Sequence, residues 1–268
     1  VRMPVECALP VVRVDQDSFH AVDKRVMGLA FAVHNEMGRF LDERIYQEEM
    51  AHRCQENGLA AAREVTIRVS HDDFSKNYYV DLLVAEGVVY ELKAVKALSG
   101  VHETQLIHYL LLLGLKHGKL INFRPPSVEA RFVSTRLTSV KRRVLTVDDS
   151  CWSETSPACS HALKTLQSLL DDWGGFLAIE LYREALIHFL GGEDKVVRPI
   201  DIVSNGRVVG QQKMCLLDPR TALHVSAVSK HMKTYEQHMR RLLSHTRLSA
   251  LQWINFNKST VTCTTISQ

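Results

Sequence analysis

Asp81, Glu91 and Lys93 are the residues of this chain whose types and spacing could do chemistry. They lie in the run YVDLLVAEGVVYELKAV, Tyr79 to Val95, where an acid in one apolar stretch is followed by a Gly-containing turn and a second apolar stretch. On a strand, residues i and i+2 share a face, so Glu91 and Lys93 project together while Leu92 points into the opposite layer. A hairpin through Ala85-Glu86-Gly87 can bring Asp81 beside them. Two carboxylates and an ammonium buried on one face without partners are disfavoured by roughly several kcal/mol. A hard divalent cation between the acids relieves the repulsion, and Mg²⁺ suits such a site, keeping waters and phosphate oxygens as its other ligands. Lys93 would then hold the attacking water or help deprotonate it. The competing reading of this stretch alone is an exposed strand face with an incidental Glu/Lys pair, because D…ExK is short and common.

The elements that must position these residues follow from periodicity. Residues 1–17 read as an extended lead-in. Val22, Val26, Leu29, Ala30, Val33 and Met37 recur at helical spacing and predict a helix from Phe19 to Met37, with Ser18 as N-cap and Gly38 as terminator. A second helix fits Asp42 to Asn57 and stops at Asn57-Gly58. Strands are predicted over Glu64–Val69, Asn77–Val84 and Val88–Val95, then a helix over Val101–Leu115 and a strand over Lys119–Phe123. Pro125-Pro126 turns the chain into a last strand over Val128–Val133. Gln105 and Tyr109, four apart, share a helix face, although such pairs are often boundary residues. The order implies a mixed sheet flanked by helices.

Composition sets outer bounds. With 268 residues, 46% hydrophobic and 24% charged, the chain fits one large domain or two smaller ones of ordinary globular type. A net charge of +3 permits nucleic-acid binding without arguing for it. The six cysteines are scattered with no CxxC pair, which points away from a zinc site and toward reduced thiols in the cytoplasm. No apolar run approaches the ~18–20 residues of a membrane span, and no signal-peptide pattern opens the chain.

Taken together, Asp81, Glu91-Leu92-Lys93 and Gln105-x-x-x-Tyr109 resemble the PD-(D/E)XK nuclease superfamily, in particular its RecB-like branch and, within that, the small bacterial GxxExxY family. The resemblance runs from about Val26 to Val133 through VMGLAFAVHNEMG, Glu43-x-x-Tyr46, YVDLLV, VVYELKAV, His102-Glu103-x-Gln105 and GKLINF. It implies an α/β restriction-endonuclease-like core and metal-dependent cleavage of phosphodiester bonds, with Mg²⁺ or Mn²⁺ as cofactor and nucleic acid, DNA first, as partner. Glu43, Asp81 and Glu91 would be metal ligands. Lys93 would stabilise or activate the nucleophile, and Gln105 and Tyr109 would support the substrate or the catalytic shell. Phe40 stands where the family's name-giving Gly is expected, and Val80 where the superfamily has Pro.

The second half echoes the first. Gly174-x-Phe176-Leu177 and Tyr182-x-Glu184 repeat Gly38-x-Phe40-Leu41 and Tyr46-x-Glu48, and Trp253-Ile254-Asn255-Phe256 repeats Leu120-Ile121-Asn122-Phe123. Arg198–Val203 parallels Arg63–Arg68. This reads as a tandem duplication: a nuclease-like domain over 18–137, a Ser/Thr-rich linker over 138–160 with a short strand at Val144–Val147, and a degenerate copy over 161–268. The alignment sets Met214 against Asp81, His224 against Glu91, Ser226 against Lys93 and His238 against Gln105, so the copy lacks the required chemistry. Its basic residues Lys230, Lys233, Arg240, Arg241 and Arg247 could touch phosphates or simply form a solvated face. Three functions stay open, the first two being a metal-dependent nuclease built as an intramolecular pseudo-dimer and a non-catalytic nucleic-acid-binding or assembly protein that kept the fold. A different enzyme using the same carboxylates is a third.

Overall fold

Phe19, Val26, Ala30 and Val33 recur on one face and are fully buried, which makes Gln16–Met37 an amphipathic helix, α1. The expected N-cap Ser18 is instead the third helical residue. Asp15 caps the helix by accepting the Ser18 N–H at 2.8 Å, so α1 begins earlier than periodicity alone indicates. The computed structural model describes residues 4–268. These fall into two compact units that divide between Ser139 and Val140.

In the first unit, α1 is followed by α2 (Glu43–Glu56). The strands are β1 (Val5–Cys7), β2 (Ala61–His71), β3 (Phe74–Val84), β4 (Val88–Lys93), β5 (His117–Asn122) and β6 (Glu129–Ser134), with α3 (Gly100–Leu113) between β4 and β5. They form one six-stranded sheet in chain order, in which only β4 and β5 run parallel. A helical crossover is what a parallel neighbour requires, and α3 supplies it. The core gathers Phe19, Tyr46 and Met50 from α1 and α2 around Leu82, Tyr90 and Leu92 of the sheet. Two expectations change: part of the lead-in is strand β1, and β2 and β3 extend to the buried His71 and Phe74 at a tight turn through Asp72-Asp73.

The second unit contains α4 (Ser139–Arg143), β7 (Thr146–Cys151), α5 (Pro157–Trp173), α6 (Ile179–Phe189), α7 (Glu193–Val196), β8 (Val197–Ser204), β9 (Arg207–Asp218), β10 (Thr221–Ser226), α8 (Met232–Ser244), β11 (Ala250–Asn257) and β12 (Thr260–Ser267). α4 begins one residue before the division. Its sheet is also six-stranded, in the order β7-β12-β11-β10-β9-β8. The segment expected as a linker over 138–160 is therefore folded. Arg142, almost fully buried, donates to the carbonyls of Trp173 and Gly175, and β7 pairs parallel with β12. One buried arginine and a largely exposed edge strand leave no hydrophobic period to read.

Local devices recur between the units. Tyr46 donates to the Gly38 carbonyl at 2.8 Å and stacks on Phe123, and Tyr182 donates to the Gly174 carbonyl at 2.6 Å and packs on Phe256. Asn122 accepts from the Val95 N–H at 3.0 Å and donates to the Val95 carbonyl at 2.8 Å; Asn255 does the same to Val228 at 2.8 and 3.0 Å. Both asparagines are fully buried. Replacing either by alanine leaves a backbone N–H and C=O unpaired, so Asn122→Ala and Asn255→Ala are each expected to lose about 2–4 kcal/mol in urea unfolding. A loss under about 0.5 kcal/mol would show that these pairs do not hold the loops.

Candidate active site

β3 and β4 pair antiparallel with Leu82 opposite Tyr90, which carries Asp81 to the position opposite Glu91. The turn between them holds Ala85 and Glu86 at φ 48° and 56°, the left-handed pair that matches strand twist in a tight hairpin. Gly87 is required there because a Cβ would collide with the Val12 carbonyl oxygen. Asp81 Oδ2 accepts the Leu92 N–H at 2.8 Å, which locks the carboxylate against the strand that carries Glu91. All six residues of β4 are buried, so the two charges on its polar face are enclosed.

Four side chains from three elements meet on that face. Lys93 Nζ donates to Glu91 Oε1 at 2.7 Å and lies 3.4 Å from Asp81 Oδ2 and 3.4 Å from Glu43 Oε1. Glu43 is the first residue of α2, and its Oε2 accepts the Ala94 N–H at 3.3 Å, just past the end of β4. Glu91 has no exposed surface; among the described residues its Oε2 has no bonded donor, and its carboxyl lies within hydrogen-bond reach of the Asp81 carboxyl. The acids thus converge on the ammonium rather than on a common point between them. Among the described residues, no group of three or more His, Cys, Asp or Glu side chains is arranged to hold a metal ion.

Burial and the Asp81 carboxylate push Glu91 up to about 8, against the pull of Lys93. Asp81 is raised as well, chiefly by burial, with Lys93 and the Leu92 N–H working the other way. For Lys93, burial works against the charge, but Glu91 and Asp81 outweigh it and the pKa rises. The lysine is therefore an ammonium at neutral pH, suited to placing a nucleophile or stabilising negative charge, not to taking a proton from water.

Gln105 and Tyr109 on α3 bond to each other, Nε2 to the phenol oxygen at 3.1 Å. Burial raises the Tyr109 pKa, and the charges of Glu91 and Asp81 add to that shift, so the phenol stands within electrostatic range of the cluster. Phe40, where a glycine was expected, does not disturb the turn into α2. Its side chain is 75% exposed, and the positive φ of this turn is at Gly38.

Two positioning residues escaped the sequence reading. Asn122 fixes Val95, two residues past Lys93, and also donates to Glu129 at 3.1 Å. Arg124 donates to the carbonyls of Ala94 and Leu41, flanking Glu43 from both sides. The recurrence of Ile-Asn-Phe at Asn122 and Asn255 was a signal for the first; an isolated arginine after a strand gives none.

At the matching register of the second sheet, Cys215 faces Leu223, so Met214 stands opposite His224, while Ser226 pairs with Asn255 as Lys93 pairs with Asn122. Ser226 is committed to structure, donating to Asn255 Oδ1 at 2.7 Å and accepting from Trp253 Nε1 at 2.8 Å. Among the described residues no helix is long and apolar enough to cross a membrane, and the six cysteines are free thiols.

Neither the curated proteins nor the solved structures gave a match to the chain. Residues 20–133, which carry Glu43, Asp81, Glu91, Lys93, Gln105 and Tyr109, match a family model of the PD-(D/E)XK nuclease superfamily.

Proposed function

We propose that the first unit hydrolyses phosphodiester bonds of DNA with Mg²⁺ or Mn²⁺, and that the second is a degenerate copy of the same fold. The observation that carries this reading is the cluster of Asp81, Glu91 and the half-buried Glu43 around one ammonium, with a buried Glu91 oxygen that has no bonded donor among the described residues. A fully buried acid with an orphaned oxygen beside a second acid is a donor set that fits a hard cation. Asp81 and Glu91 would hold the metal, with Glu43 as a further ligand. When bound, the metal lowers the pKa of its water and offsets charge on the phosphate. Lys93, kept protonated by its neighbours, would place the nucleophile and balance negative charge as it builds. Gln105 and Tyr109 would orient the polar edge of the site. Glu43-x-x-Tyr46, with Tyr46 tied to Gly38, supports the GxxExxY branch in particular.

This reading implies a pH dependence. Below pH about 8 a metal must displace the Glu91 proton, so apparent metal affinity should rise roughly tenfold per pH unit and level off above that value. Calorimetry at pH 7 in buffers of different ionisation enthalpy should count about one proton released per metal bound. Affinity that falls as pH rises would remove Glu91 from the ligand set.

The order that β2–β6 and β8–β12 share, although the sixth strands β1 and β7 lie on opposite edges, the paired Tyr–Gly and Asn–Val devices, and Met214, His224 and Ser226 at the chemical positions support an intramolecular pseudo-dimer with one cutting centre. Such a chain should act on one strand at a time. On supercoiled plasmid with Mn²⁺, nicked circles are expected to accumulate before linear product; immediate linearisation by a monomeric protein would contradict a single centre. A non-catalytic binding protein is favoured by one observation, that Lys93 occupies the middle of the acids. It would bind DNA equally in metal and in EDTA and cut in neither.

A further inference from the structure

The second unit holds a cavity of about 670 Å³ at the strand positions where the first unit holds its acids, with Met214 and His224 in its wall. Its volume is in the range of small-molecule pockets. The substitutions invert the chemistry of the place. Where Asp81 and Glu91 would repel an anion unless a metal intervened, Met214 and His224 are a thioether and an imidazole that burial, with the nearby Arg183, holds below its ordinary pKa and hence neutral at pH 7. Arg183 on α6, which also pairs with Glu180 at 2.5 Å, and Lys213 on β9, both largely exposed, bring two cations to the rim. Inside, Tyr235 bonds to His224 Nε2 at 2.7 Å and is stacked on Trp253 with ring centroids 5.6 Å apart, while Met239 adds a second thioether. Glu184 and Glu193 also line the cavity and are suited to accept from sugar hydroxyls.

A ligand matched to this lining has a flat ring for the tyrosine and thioethers, hydroxyls for the carboxylates and a phosphate for Arg183 and Lys213. We propose that the second unit binds a nucleoside monophosphate, free or as the end of a strand, without metal and without hydrolysing it. The cavity lies wholly within residues 183–251, so the proposal stands or falls separately from cleavage by the first unit.

The test is calorimetric titration of the full chain with adenosine 5′-monophosphate, adenosine and inorganic phosphate in excess EDTA, which removes divalent metal from any site. The monophosphate should bind measurably, and adenosine and phosphate at least about tenfold more weakly, because each lacks one half of the contacts. Arg183→Ala with Lys213→Ala, both surface changes, should weaken the monophosphate by about tenfold or more, while Asp81→Asn leaves it unchanged. A short oligoribonucleotide with a 5′-phosphate, whose terminal sugar keeps a free 2′-hydroxyl, compared with its dephosphorylated form, separates the sources: a preference for the phosphorylated end assigns the pocket to strand ends, and equal weak binding of both assigns it to the free nucleotide. No binding of monophosphate or oligonucleotide by folded protein, binding lost in Asp81→Asn, or binding indifferent to the Arg183/Lys213 pair would each overturn the proposal.

Discussion

Lys93→Ala is expected to slow phosphodiester cleavage by about 10²–10⁴-fold while tightening the binding of divalent metal. The two effects come from the same atom. Lys93 Nζ sits against Glu91, Asp81 and Glu43, so a cation entering the site must share the carboxylates with it. Removing the ammonium leaves the acids with each other, which strengthens their demand for metal and deletes the group proposed to steady the nucleophile. In EDTA the variant should lose about 3–5 kcal/mol of stability above the Glu91 titration, since a buried carboxylate has lost its partner. Mn²⁺ should restore most of that loss by binding only the folded state. Thermal unfolding with and without Mn²⁺, beside a cleavage assay, separates this from a structural lysine, whose loss metal would not repair. A variant that cuts at the wild-type rate would remove Lys93 from the chemistry.

Asp81→Asn should lower cleavage by about 10²–10³-fold yet leave the metal-free fold more stable than wild type. The asparagine oxygen can still accept the Leu92 N–H that Asp81 Oδ2 takes at 2.8 Å, so the hairpin keeps its lock. What disappears is the like charge that, after burial, does most to raise Glu91. Glu91 should therefore titrate lower, and the protein should unfold at higher temperature in EDTA at pH 8. Lower stability together with lost activity would mean that Asp81 holds the structure rather than a cation.

Much of the site could be read from sequence because it is written in strand geometry. Glu91 and Lys93 share a face by alternation, the Ala85-Glu86-Gly87 turn fixes the register that puts Asp81 across from Glu91, and Gly114 at φ 68° ends the helix that carries Gln105 and Tyr109. The parts that stayed hidden depend on single polar contacts. β1 is three residues long and β7 is exposed, so neither shows a period; each is recognisable only by the strand it pairs with. Arg142 and Arg124 hold their segments through backbone carbonyls far along the chain, which spacing cannot reveal. That Lys93 stands among the acids rather than beside them is a matter of how the side chain extends, and a two-residue motif does not encode it.

The most direct test of a metal-dependent cutting centre at the paired acids is cleavage of end-labelled single- and double-stranded DNA by wild type and Glu91→Gln, each in Mg²⁺, Mn²⁺ and EDTA. Glutamine keeps the shape of the fully buried Glu91 and removes its charge. Cleavage by wild type in metal, absent in EDTA and absent in the folded variant, is the expected result. Folded wild type that cuts no substrate with either metal, or a Glu91→Gln protein that cuts as fast as wild type, would contradict it.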